Sequence, residues 1–195
     1  MPTKPPQLYL SGDPEADQLL AQDPFALLVG MVLDQQIPLE RAFWAPAELS
    51  RRLGKPLHAA EIAAMDPEKF AGVFKERPAL HRFPGAMATR VQEVCRIVAD
   101  EYGGKANALW TKLPDGEALV ARLTSLPGFG KQKARIFAAL LGKQLGVQPE
   151  GWRGATTPFG EDGSYLSVAD ITGPESLAKV RAHKQAMKAK ARAGT

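Results

Sequence analysis

The run Leu126-Pro127-Gly128-Phe129-Gly130-Lys131 sets a proline and two glycines between two segments whose apolar residues recur at helical spacing. Proline stops the first helix, and the glycines permit the positive φ of a very tight turn. The second helix then opens with N–H groups that have no intrahelical partner. Lys131, Lys133 and Arg135 follow, and no acid occurs between Leu126 and Leu145. Amide donors backed by a helix dipole and flanking cations suit a phosphate. Such a site grips a nucleic-acid backbone without reading its sequence. An ordinary helical hairpin uses the same turn residues, so this pattern alone leaves both readings open.

The elements around the turn read as helices. Apolar residues recur at three and four spacings and strand-like alternation is nearly absent, which makes the fold class all-α. Helices are expected over Pro14–Ala21, Phe25–Gln36, Leu39–Leu53, Ala59–Met65, Pro67–Lys75, Met87–Tyr102, Gly116–Leu123 and Lys131–Leu145. The second of these, opened by Asp23-Pro24, is apolar on nearly every side until Asp34 and should run through the middle of a lobe. Gly146 to Asp170 breaks the rhythm with five Gly, two Pro and the aromatics Trp152, Phe159 and Tyr165. A loop of that length is expected to be functional, and its aromatics favour order. Thr172-Gly-Pro-Glu175 reads as a capping box opening a last helix, Ser176–Ala191. The organisation is thus residues 1–145 with the hairpin at 116–145, a loop at 146–170, and a basic helix at 171–195.

Composition narrows the classes. With 195 residues, 45% of them hydrophobic, the chain can bury a core without disulfides or a structural metal. Its one cysteine, Cys95, falls among Val91, Val94 and Val98 at helical spacing and reads as a buried thiol. One thiol excludes a cysteine-ligated zinc or iron–sulfur cluster within this chain. Trp44, Trp110, His58, His81 and His183 form no ligand cluster and read as packing or surface residues. The opening MPTKPPQLYL lacks a signal-peptide pattern, and no run is long enough to span a membrane, so a cytoplasmic location is expected. Of 25 basic residues, six lie from Ser176 onward, leaving 19 against 21 acids in the first 175. The excess positive charge is therefore in the tail, which suits a polyanion or else a solvated helix end.

Three stretches, in order, resemble the helix-hairpin-helix superfamily of base-excision DNA glycosylases, which includes endonuclease III and the adenine and alkyladenine glycosylases. They are PFALLVGMVLDQQIPLERA, FPGAMATRVQEVCRIVADEYGG and LPGFGKQKA, within Asp23 to Leu145. The resemblance implies a two-lobed helical fold, here abbreviated in its C-terminal part, acting as a monomer on lesion-bearing double-stranded DNA in the nucleoid. It implies DNA contacts through Gly128, Phe129, Gly130, Lys131 and Lys133. It also implies that Gln36, with Gln35 beside it, fills the gap left when the target base is flipped out. No organic cofactor or iron–sulfur cluster is expected; a monovalent cation at the hairpin is the one ion the family pattern admits.

Departures from the family refine the chemistry. The Schiff-base lysine two residues after the second hairpin glycine is Gln132 here, so strand-cleaving lyase chemistry is not expected and water is the nucleophile. The acid that adenine glycosylases carry on the early helix corresponds to Met31. The carboxylate that stabilises the sugar cation is best matched by Asp170 in Ser167-Val-Ala-Asp170-Ile, with Glu150 and Asp162 as alternatives. Asp170 also reads as a plain helix-entry cap. Trp152, Phe159 or Tyr165 could wall a base pocket, or simply pack. Uracil or thymine mispairs and alkylated purines suit a lysine-free site better than oxidised pyrimidines. The rivals are a non-catalytic module that recognises damaged or bent DNA, and a helical scaffold whose tail contacts protein or RNA.

Overall fold

Aspartates fix the start of four helices. In the computed structural model, which describes residues 6–194, Asp13, Asp23, Asp66 and Asp115 each accept backbone N–H groups at the first turn of α1 (Pro14–Gln22), α2 (Pro24–Leu33), α5 (Pro67–Lys75) and α7 (Gly116–Thr124). Proline at the first turn assists the first three. Glycines in the left-handed conformation, Gly54 and Gly146, end α3 (Leu39–Leu53) and α8 (Lys131–Leu145). The remaining helices are α4 (Ala59–Ala64), α6 (Pro84–Glu101), α9 (Trp152–Ala155) and α10 (Pro174–Ala193), with 3-10 turns at Ala106–Trp110 and Val168–Asp170. The chain is all-helical over the described residues. Residues 1–5, half of the segment read for a leader, and Thr195, the end of the basic helix, lie outside them.

Every residue from Phe25 to Leu33 is buried, so α2 is a central rod that packs against α1, α3 and α6. The buried apolar side chains form one continuous cluster from Leu8 to Val180. Cys95 lies fully inside it, and burial pushes its thiol up to about 12. α2 stops at Leu33 rather than continuing to Gln36. The chain turns out of the helix at Asp34, and Gln36 takes a left-handed φ of 57°.

The stretch between α8 and α10 is ordered by Trp152. Its ring lies over Gly142 of α8, where a Cβ would come within 2.4 Å of it, and its backbone lies against Gly116 of α7. In place of a Thr172–Glu175 capping box, Ser176 Oγ accepts the N–H groups of Thr172 (2.8 Å) and Gly173 (3.1 Å), while Glu175 pairs with Lys179. α10 buries only Ser176 and Val180 and is tied to α3 by an Arg181–Glu40 ion pair. Residues 185–194 are exposed on all sides. No helix among the described residues is long and apolar enough to cross a membrane.

Candidate nucleic-acid interface

The turn between α7 and α8 alternates buried and exposed residues. Leu126 and Phe129 are buried, Phe129 against Phe137 with ring centroids 6.2 Å apart, while Gly128 and Gly130 face solvent. Phe129 N–H donates to Leu126 C=O at 3.1 Å and closes the turn, which places Gly128 at φ 81°. Phe129, expected to touch DNA, is instead the apolar anchor that holds the two glycines outward. Gly130 caps α8 with no side chain, and the first helical bond is Ala134 N–H to Gly130 C=O. The N–H groups of residues 131–133 therefore have no protein acceptor among the described residues, and Lys131 is exposed beside them.

Lys133 departs from the expected arrangement. Its ammonium turns inward and donates to the carbonyl of Val32 at 3.1 Å, at the end of α2, and lies 5.5 Å from the Phe129 ring centre. Burial pulls its amine down to about 8, opposed by the negative charge of Asp34. It acts as a strut between helices rather than as an open phosphate ligand. At the turn itself the Leu126 carbonyl accepts the Phe129 N–H, and the Arg90 guanidinium approaches within 2.4 Å of where a Cβ on Gly128 would be.

Because of that strut, the end of α2 sits beside the start of α8. Gln36 is exposed there, and Gln35 packs its amide on Met87 Sδ at 3.2 Å. His81, read from sequence as packing or surface, is 1% exposed and joins two loops: one ring nitrogen, Nε2, lies 2.9 Å from Gln35 C=O, and the other, Nδ1, accepts Phe83 N–H at 3.0 Å. Accepting at Nδ1 requires the neutral ring with its proton on Nε2, and burial lowers the pKa of His81 accordingly. Phe83 is 44% exposed, with the Arg82 guanidinium 5.3 Å from its ring centre. Sequence reasoning anticipated His81 as a packing residue but not its loop-joining bonds, and it missed Phe83. The available signal was an apolar residue placed directly before the helix-opening Pro84, where a buried anchor is the usual expectation.

The carboxylates and aromatics of the candidate site gather at the other end of α8. Asp170 is buried, accepting from Lys143 Nζ (2.6 Å), Ser164 Oγ (3.1 Å), Leu166 N–H (2.8 Å) and Ser167 N–H (3.3 Å). Both oxygens are committed, which is the arrangement of a loop anchor. Since Lys143 lies twelve positions beyond Lys131, Asp170 is ~18 Å along the helix from the hairpin. It is not brought together with Gln36. Asp162 is exposed and pairs with Arg153 at 2.8 Å, and Glu150 is exposed with its carbonyl accepting Gly116 N–H at 2.7 Å. Tyr165 borders the same shallow basin as Asp162 and Asp170, with the Lys179 ammonium 4.6 Å from its ring centre. Trp152 and Phe159 pack against the protein, and Trp152 is too enclosed to stack on a base.

No protein-family model, curated protein or solved structure matches this chain.

A fourth carboxylate does lie at the Gln36 end. Asp34 caps the C-terminus of α2 and is half-buried. Burial raises its pKa, while the positive charges of Lys184 on α10 and Lys133 on α8 oppose the rise. The exposed hairpin amides, Lys131, Gln36, Phe83 and Asp34 thus occur on neighbouring elements. The set can hold a phosphate, insert an amide or a ring between stacked bases, and offer a carboxylate beside the insertion point.

Proposed function

We propose that this protein binds double-stranded DNA at a damaged or mispaired base as a monomer and hydrolyses the N-glycosidic bond of that base once flipped out, as a monofunctional DNA glycosylase of the helix-hairpin-helix type. The observation that carries the reading is the Lys133–Val32 hydrogen bond. It ties the last turn of α2, which leads to the exposed Gln36 at its left-handed backbone position, to the first turn of α8. A backbone grip and an insertion group on one face are what base flipping requires: one fixes the duplex, the other fills the vacated stack. Phe83 is a second insertion group, and its aromatic ring can stack on the neighbouring base pair. With Gln132 at the nucleophile position, the product is an intact strand carrying an abasic sugar. A cytoplasmic, nucleoid-associated protein fits this role.

The second reading, a module that recognises damaged or bent DNA without cutting it, is favoured by one observation: Asp170 is fully engaged by protein donors. The deciding assay presents duplexes with single lesions, namely uracil, a thymine mismatch, alkylated or ethenoadenine, hypoxanthine and oxoguanine. Breaks that develop only after hot alkali identify a monofunctional glycosylase and its substrate. Intact strands with selective binding to lesion duplexes would replace the enzyme with the recognition module.

A further inference from the structure

Two carboxylates compete for the role of driving bond cleavage, and their surroundings differ. Asp170 receives four hydrogen bonds, including one from Lys143, and anchors its loop. It also lies at the far end of α8, ~15 Å along the axis from Lys133. A carboxylate so engaged can neither turn toward a sugar nor take a proton without dismantling the loop.

Asp34 has the opposite character. No hydrogen-bond donor among the described residues reaches its side chain, although its backbone N–H is used, donating to Met31 C=O at 3.3 Å. Its oxygens are not among the sealed, unpartnered polar atoms of the protein, so the half-buried carboxylate stays reachable from solvent, and carboxylates perturbed by burial concentrate where chemistry requires them. It sits two positions before Gln36. Lys133, which is fixed to Val32, and Lys184 supply positive charge from two other helices.

We propose that Asp34, not Asp170, is the catalytic carboxylate, acting as the base on the attacking water. The inference rests on the glycosylase reading above. In the step proposed, the water oxygen forms a bond to C1′ of the flipped nucleotide as the C1′–N bond breaks. The electron pair of that bond leaves with the base. Asp34 takes the water proton and passes it to the departing nitrogen, so the products are an abasic sugar and a neutral free base, with Asp34 returned to its starting form. The anionic carboxylate also stabilises the positive charge that develops on the sugar.

The test compares base release and binding to the lesion duplex for wild type, Asp34→Asn, Asp34→Ala and Asp170→Asn, with thermal melting of each. Asp34→Asn is expected to melt like wild type, bind the lesion duplex like wild type, and lose about a hundredfold or more in release. Sodium formate, a small diffusible carboxylate, should restore part of the release in Asp34→Ala, which a purely structural role would not permit. Asp170→Asn should melt lower and still release base at temperatures where it is folded. The assignment to Asp34 is overturned if Asp34→Asn retains release within about tenfold of wild type, or if its melting and binding collapse and formate restores nothing to Asp34→Ala. A wild type that releases no base from any of the lesions above sinks the glycosylase reading itself, and that outcome is distinct from an active wild type with an active Asp34→Asn.

Discussion

Lys133 Nζ on α8 donates to the carbonyl of Val32 on α2 at 3.1 Å, joining residues 101 positions apart. A cation at the C-terminus of a helix satisfies a carbonyl that has no intrahelical donor and complements the dipole. Its structural consequence is that the first turn of α8 is tied to the last turn of α2, the helix that leads into the Gln35–Gln36 loop.

Replacing Lys133 by Met keeps the aliphatic stem and leaves the Val32 carbonyl without that donor, so a loss of ~1–3 kcal/mol is expected. Duplex affinity should fall with it because the loop loosens. Lys131→Ala should change stability by no more than ~0.5 kcal/mol and reduce the salt slope of duplex binding by about 1. Urea unfolding and affinity measured over a salt series check both; a Lys133→Met protein as stable as wild type would remove the strut.

The two hairpin glycines should respond differently to alanine. At Gly128 the backbone is at φ 81° and a Cβ would fall 2.4 Å from the Arg90 guanidinium. A cost of ~1–2 kcal/mol is expected there from the left-handed backbone alone. Gly130 has φ −72° and open space around its Cβ position, so Gly130→Ala should be tolerated. Equal melting temperatures for the two variants would contradict the turn geometry.

His81 makes stability depend on pH with a defined sign. Its folded pKa lies below the ordinary 6.5 because burial disfavours the imidazolium, with Lys133 and Arg41 adding repulsion. Between the folded value and 6.5 the unfolded chain binds more protons, so the contribution is complete above 6.5 and is lost as the pH falls toward the folded pKa. Protonation of Nδ1 would also break the bond from Phe83 N–H. Urea midpoints at pH 7.5 and pH 5.5 should show a smaller drop for His81→Gln than for wild type, and parallel drops would dismiss His81 as the source.

Truncation before Lys188 removes Lys188, Lys190 and Arg192 from the exposed end of α10. Unfolding midpoints should not move, because the buried residues of α10 are Ser176 and Val180. If all three cations meet phosphates, the slope of log affinity against log salt becomes shallower by about 2.7. An unchanged slope would show that the tail is no part of the DNA face.

What the sequence determined by itself was local. Leu39–Leu53, Pro67–Lys75 and Lys131–Leu145 are helices with the expected ends, because Asp, Pro and Gly act on the backbone within a few residues of themselves. The LPGFG turn follows for the same reason. What only the tertiary structure decided depends on partners far along the chain. α2 ends three residues short of Gln36, and the loop beyond it is held by His81, 46 positions from Gln35. Trp152 became a packing residue because Gly142 and Gly116 leave room for it, which no reading of residues 146–170 alone reveals. Asp170 has the local pattern of a candidate catalytic acid, yet Lys143 and its own loop consume it. Asp34 has the local pattern of a helix exit, yet the helices packed around it half-bury its carboxylate and bring no donor to it. Backbone punctuation is written in neighbouring residues; the solvation and reach of a carboxylate are set by whatever packing places beside it.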